Sequence, residues 1–406
     1  MKTMKNLNGM KLLKRMLLLC LCAALVCTAA LAETDTVYLG PDQKEVKCLP
    51  NSCQLPDGRL VFSGYTSDNI LSEDDSAYLL CLNRDMTVSW EYTEPDTKIS
   101  GFGTMGVTKD GTIGVICYPN GDDFGIKFFT TEGQPLGDMI SMPSKDIDRY
   151  EAFSFGMVRG GRSGEEYYQE FLDWEGNVLF RANQEETMWV GENLIQEEDG
   201  VVLYGGQELD GESDALLMKL DWKGNKVWET VLPALKEGVK NAYLLECVKT
   251  SDGGYLGYLS ERHGDAKERE YIDALVKFSA DGQIAWTKLE DADRDIQFSA
   301  LAVPAEYNGM YVMQLIDWVE EKPDSPIRYL WLDRDGNELG ITEQHLSKAD
   351  QARISEEKMG IHLAEMYAMK DGLWQECFFW VDTDENEEEE YAWARHDICL
   401  IRVPEL

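Results

Sequence analysis

The densest group of chemistry-capable side chains lies near the C-terminus, in Asp382-Thr383-Asp384-Glu385-Asn386-Glu387-Glu388-Glu389-Glu390, where seven of nine residues are acids. Asp382, Asp384, Asn386 and Glu388 place oxygen ligands at alternate positions, the donor type a hard cation such as Ca²⁺ takes. No glycine is present to give a tight calcium-loop turn, and a solvated charge run explains the same residues. A weak Ca²⁺ site at these four positions is the only cofactor expectation. Asp333-Arg334-Asp335-Gly336-Asn337 also looks like a calcium-loop fragment, but related phrases recur along the chain, which favours a turn. His263, His345, His362 and His396 are too widely spaced to form a metal-ligand pair. The chain has no Gly-x-Ser-x-Gly elbow, phosphate-cradling loop or dinucleotide fingerprint. With 75 acids, picking out one carboxylate pair for glycosidic chemistry would carry no information. Trp318, Trp331, Trp374, Trp380 and Trp393 cluster late; exposed tryptophans beside acids would suit carbohydrate or peptide contact, and packing into the core is the competing reading.

The elements that would carry these residues follow from a repeated phrase: an apolar residue, then Asp, Asn, Ser or Thr, then two residues, then usually Gly. It begins at Leu82, Phe129, Leu172, Leu220, Phe278 and Leu332, at spacings of 47, 43, 48, 58 and 54 residues. A unit of that size implies a repeat architecture. Each copy closes an alternating apolar run such as Ala215–Leu220, and the Asp/Gly step supplies hairpin chemistry. Eight residues after the opening residue stands Trp90, Trp228 or Trp286, with Phe180 in one copy and Gly137 and Gly340 in two. Upstream turns such as Pro56-Asp57-Gly58, Lys109-Asp110-Gly111 and Asp252-Gly253-Gly254 complete a unit of four antiparallel strands, A to D, the size of a propeller blade.

The fold expected is therefore all-β: a seven-bladed β-propeller, with six blades as the alternative. A seventh strand C at His396–Val403 lacks its own strand D. Thr36–Leu39 is expected to pair beside it and close the ring, which removes free sheet edges. Strand A of the third blade is expected near Ser141–Asp148. The phrase Leu220-Asp221-x-x-Gly224-x-x-x-Trp228 and the run Asp252-Gly253-Gly254-Tyr255 resemble the PQQ-like, quinoprotein-type propeller repeats of secreted bacterial proteins. That resemblance covers nearly all of the chain past the leader. It implies the propeller fold but not the quinoprotein chemistry, which needs a vicinal disulfide and a calcium-bound cofactor site; no adjacent cysteines lie past the leader.

Residues 1–32 read as a cleaved secretory signal peptide: Lys2, Lys5, Lys11, Lys14 and Arg15, then an apolar run, then Ala30-Leu31-Ala32. A retained membrane anchor is the alternative, and the run is short for one. Residues 33–406 then form a single, secreted, monomeric propeller domain with no membrane insertion after cleavage. They hold 75 acids against 33 bases, a net charge of −42. This argues against nucleic acid and anionic membranes as partners. Seven cysteines remain past the leader; cross-strand Cys377–Cys399 and local Cys48–Cys53 are the candidate pairs. A helix is expected at Ser347–Lys358.

In this topology the B–C loops share one face: Asp68–Ser76, Asn120–Asp123, Gly160–Glu166, Gln207–Asp214, Glu261–Glu270, Asp317–Pro326 and Asp382–Glu390. Most are acid-rich. The function expected is a non-enzymatic binding or scaffold propeller that uses this acidic face for a protein, peptide or glycan. The alternative is a cation-dependent extracellular hydrolase sited there.

Overall fold

The computed structural model describes residues 36–406 except 40–45, 68–75, 97, 120–123, 144–146, 164–165, 184–192, 210–211, 237–240, 264–269, 292–295, 300–302, 316–324, 358 and 383–392. The chain is an all-β propeller. Its described strands group into seven four-stranded sets, here numbered blades in chain order. Blades one to six span residues 46–93, 99–142, 147–183, 194–231, 241–289 and 305–344. Blades four and five join through one parallel pair, Ser213 with Asn241. The seventh sheet has the order Thr36–Tyr38, Trp393–Val403, Gly372–Asp382, Met359–Met369, so the N-terminal strand takes the strand D place.

The strand periodicity has a physical cause in where the cores lie. Each cluster of buried apolar side chains sits between consecutive blades, so both faces of an inner strand are covered. Ala274 and Val276 pack toward blade four while Leu275 packs toward blade six. Strand C is therefore buried nearly throughout, as in Ser76–Leu82, and strand D alternates, as in Ile284–Leu289. Removing each fully buried Leu or Phe from water is worth about 1.5–3 kcal/mol.

The recurrent phrase builds the C–D turn. Asp221 Oδ1 accepts the backbone N–H groups of Lys223 and Asn225, Asn225 Nδ2 donates to Asp221 Oδ2, and Gly224 takes φ +78°. Asp173 with Asn177 repeats these Asp–Asn bonds, as does Asp333 with Asn337. Asp333 thus directs its oxygens to its own turn, which decides against the calcium-loop likeness of that segment.

The aromatic residue after the turn is a latch between blades. Trp90 of blade one lies over Gly133 in the turn of blade two, and its Nε1 donates to Thr131 O at 2.9 Å. Trp286 lies over Gly336 and donates to Arg334 O at 2.9 Å. Trp228 covers Gly282, and Phe180 covers Gly224. A Cβ placed on Gly133 or Gly282 would sit 2.6 Å from the covering ring, so glycine is required for close approach as well as for its positive φ.

Several expectations are corrected. Strand A of blade three is Ile147–Phe153, not Ser141–Asp148; Ile140–Met142 is instead a three-residue strand D of blade two. Gln207–Asp214 is not a long loop, because strands run to Leu209 and restart at Glu212 with those two residues paired. Gly160–Glu166 is likewise mostly strand, with Ser163 paired to Glu166. Cys53 and Cys377 are free thiols, so neither candidate disulfide is formed; Cys377 and Cys399 do face each other in register, fully buried. The helix α1 spans Lys348–Glu357, and Ser347 Oγ caps it by accepting Asp350 N–H at 3.1 Å.

Candidate functional site

The calcium candidates lie at the edge of what is described. Asp382 is the last residue of a strand and pairs with Trp393, while Asp384, Asn386 and Glu388 lie outside the described residues. Among the described residues no group of three or more His, Cys, Asp or Glu side chains is placed to hold a metal ion. The interiors of the loops Asp68–Ser76, Asn120–Asp123, Glu261–Glu270 and Asp317–Pro326 lie outside the described residues too. Trp331 and Trp374 are buried, and Trp331 Nε1 donates to Thr342 Oγ1 at 2.8 Å, so both are core residues. Trp318 lies outside the described residues. His263 is buried with Nε2 3.3 Å from Glu261 Oε2, and Glu261 Oε1 accepts Leu235 N–H at 2.7 Å. This pair ties the blade four–five connection to a strand end.

Two further carboxyls are perturbed at the blade five–six contact. Burial pushes Glu290 up to about 7, and burial also raises Asp273. Glu290 Oε1 accepts Phe298 N–H at 2.5 Å, and Phe298 is fully buried. A carboxyl near 7 is poised for proton transfer, but this one is committed to holding the connection beneath Phe298.

A groove of about 1640 Å³ runs from blade two across blade three to blade four. It opens because a latch is missing. The latch position of blade two is Gly137, with φ +98° and no neighbour within 4 Å of a placed Cβ. The glycine it would cover, Gly176 in the turn of blade three, is likewise uncovered, solvent-exposed and part of the groove wall. Blade six also has glycine at the latch position, yet there Leu406 fills the space: a Cβ on Gly340 would meet its Cδ2 at 2.8 Å, and Thr342 Oγ1 donates to Pro404 O. The two glycine copies thus differ, and the blade two–three junction is the one left open.

The outer wall is thin for a related reason. Strand D of blade two pairs regularly at Ile140–Met142, and nearer the turn it keeps a single bridge, Phe129 with Pro135, where Leu136 N–H reaches Phe128 O at 2.7 Å. Leu136, Ile140 and Leu179 are consequently 48 %, 56 % and 38 % exposed along the groove. The aromatic lining is held rigidly. Trp174 Nε1 donates to Ser154 O and its ring meets Phe128 at 5.6 Å; Trp222 Nε1 donates to Glu198 O and its ring meets Phe155 at 5.0 Å.

The rim is acidic, with five carboxylates, Asp110, Asp173, Glu175, Glu197 and Glu198, against Lys109 and Arg159. Arg159 is engaged by Glu170 at 2.5 Å. Hydrogen bonds from Thr108 and Thr112 hold Asp110 below the usual carboxylate range, so it stays charged. Glu197 is bound by Lys249 and Tyr255. Among the described residues no ion pair engages Glu175 or Glu198, both exposed. Such a groove can take up apolar and cationic groups together. The sequence signal was the glycine at position 137 where three other copies carry Trp.

No family model matches the sequence, and no curated protein matches it. Solved structures with a similar chain path include the β-propeller domain of the Trilobed protease from Pyrococcus furiosus, at 11 % identity and a TM-score of 0.46, covering 86 % of this chain and 97 % of that one. Prolyl oligopeptidase B from Galerina marginata shares 12 % identity at a TM-score of 0.46, covering 84 % of this chain and 47 % of that one. TolB from Acinetobacter baumannii shares 13 % identity at 0.37, covering 69 % and 62 %. At these identities no activity is carried over.

Proposed function

We propose that this chain is a secreted, non-enzymatic binding propeller built from PQQ-like repeats, and that the groove across blades two to four receives a peptide segment of a partner protein. The observation that supports the reading is the coincidence, in one groove, of exposed Leu136, Ile140 and Leu179 with an acidic rim. A few large exposed apolar side chains in a concave site with fixed aromatic rings are the usual basis of peptide affinity. The acids supply orientation and speed of encounter, reinforced by the net charge of −37 on the whole chain.

The test pans a displayed random peptide library against the protein and re-measures the enriched peptides on the Leu136→Asp, Ile140→Asp double variant. Both side chains are exposed, so the variant should fold and lose at least tenfold in affinity. Peptides that bind the variant as well as the parent, or a library that enriches nothing, would remove the groove as the binding site.

A further inference from the structure

We propose that the open latch over Gly176 is a socket for the indole side chain of a tryptophan carried by the partner peptide. The inference rests on the groove being the binding site and adds what it recognises. The argument comes from the protein's own repeats. In blades two, five and six the turn glycine is covered by a tryptophan from the preceding blade, Trp90, Trp228 and Trp286 respectively. In two of these the indole Nε1–H donates to the carbonyl two residues before the glycine, Thr131 O and Arg334 O, each at 2.9 Å. Blade three presents the same turn: Gly176 has φ +82°, against +76°, +79° and +80° for Gly133, Gly282 and Gly336, and Gly176 N–H donates to Asp173 O as the others do to their own turn residue. The carbonyl equivalent to Thr131 O and Arg334 O is that of Trp174.

What differs is the covering group. Gly133 and Gly282 are buried beneath their rings, whereas Gly176 is exposed and Gly137 offers no side chain to cover it. A surface that three sister copies show to be complementary to indole is therefore open to solvent in the fourth. An indole seated there would bury its face on glycine and its edge against Leu136 and Leu179, with its N–H directed at Trp174 O. The carboxylates of Glu175 and Glu198, in no ion pair among the described residues, stand on the same rim, so the tryptophan is expected to be flanked by lysine or arginine.

The probes are N-acetyl-tryptophanamide, N-acetyl-leucinamide and the peptides enriched by panning. Tryptophanamide should give saturation-transfer signals with the protein and displace the peptides, and leucinamide should do neither. Gly176→Asn keeps a residue that tolerates positive φ but puts a side chain where the ring would lie, and should weaken tryptophanamide and peptide binding at least tenfold. Gly253→Asn makes the same exchange at φ +84° in blade five, away from the groove, and should leave binding intact. Equal displacement by leucinamide, or full binding by folded Gly176→Asn, would overturn the proposal. Peptides that lack tryptophan, ignore Gly176→Asn and still fail on the Leu136→Asp, Ile140→Asp variant would overturn the indole socket while leaving the groove as the binding site. A dimer that becomes a monomer in Gly176→Asn would put a second copy of this chain in the socket and overturn the peptide assignment.

Discussion

Gly282→Ala separates the two demands placed on a turn glycine. Gly282 and Gly176 have nearly the same backbone, φ +79° and +82°, yet Gly282 lies under Trp228 and Gly176 under nothing. Alanine at either position carries the left-handed cost, about 1–2 kcal/mol. At Gly282 the new Cβ would also sit 2.6 Å from the Trp228 ring, where carbon–carbon contacts prefer 3.5–4.0 Å, so the ring must retreat by roughly 1 Å. A gap of that size forfeits about a quarter to a half of a contact's attraction. Truncating a buried tryptophan costs about 3–5 kcal/mol, and Trp228 is only half-buried, so its displacement should cost on the order of 1 kcal/mol. Gly282→Ala is therefore expected to destabilise by about 2–3 kcal/mol and Gly176→Ala by about 1–2 kcal/mol. Urea unfolding followed by circular dichroism gives both numbers. In a Trp228→Ala background the cost of Gly282→Ala should fall to that of Gly176→Ala, a coupling near 1 kcal/mol. Equal costs for the two glycines, or no coupling with Trp228, would refute the latch.

Two other perturbations follow from buried charges. Lys127 Nζ lies 2.6 Å from Glu94 Oε2 between blades one and two, with side chains 9 % and 2 % exposed; Lys127→Met should cost about 3–5 kcal/mol by leaving Glu94 buried and unpaired, and adding Glu94→Gln should restore most of it, both read from unfolding curves. Burial raises the Glu290 carboxyl to about 7, so its protonated form favours the fold: that contribution is full below the ordinary carboxylate range and is lost as pH rises through 7. Melting temperatures from pH 5 to 8 should therefore fall more steeply for the parent than for Glu290→Gln, and parallel profiles would sink that reading.

Much of the architecture was determined by the sequence alone because its causes are local. Asp221 and Asn225 close their own turn, Gly224 supplies the positive φ, and alternating or continuous apolar runs state how many faces each strand buries. The tight A–B and C–D turns and the cap at Ser347 follow from residues within five positions of one another, and the four-stranded unit follows from the spacing at which those turns recur. Boundaries are not legible where the outer strand is interrupted: the sequence places a strand A near Ser141–Asp148, whereas the structure has Ile140–Met142 and Ile147–Phe153, because no local signal marks where one blade stops when its strand D is three residues long. The acidic run Asp382–Glu390 is legible because charge density is visible in a sequence. The groove is not, because it is made by an absence. Gly137 and Gly340 are the same substitution in the repeat. Only the packing of one blade on the next decides that Leu406 fills the space beside Gly340 while Gly176 faces solvent beside Gly137. A missing side chain becomes a site only when the surface it would have covered is brought into place by residues some forty positions away, and that juxtaposition is tertiary.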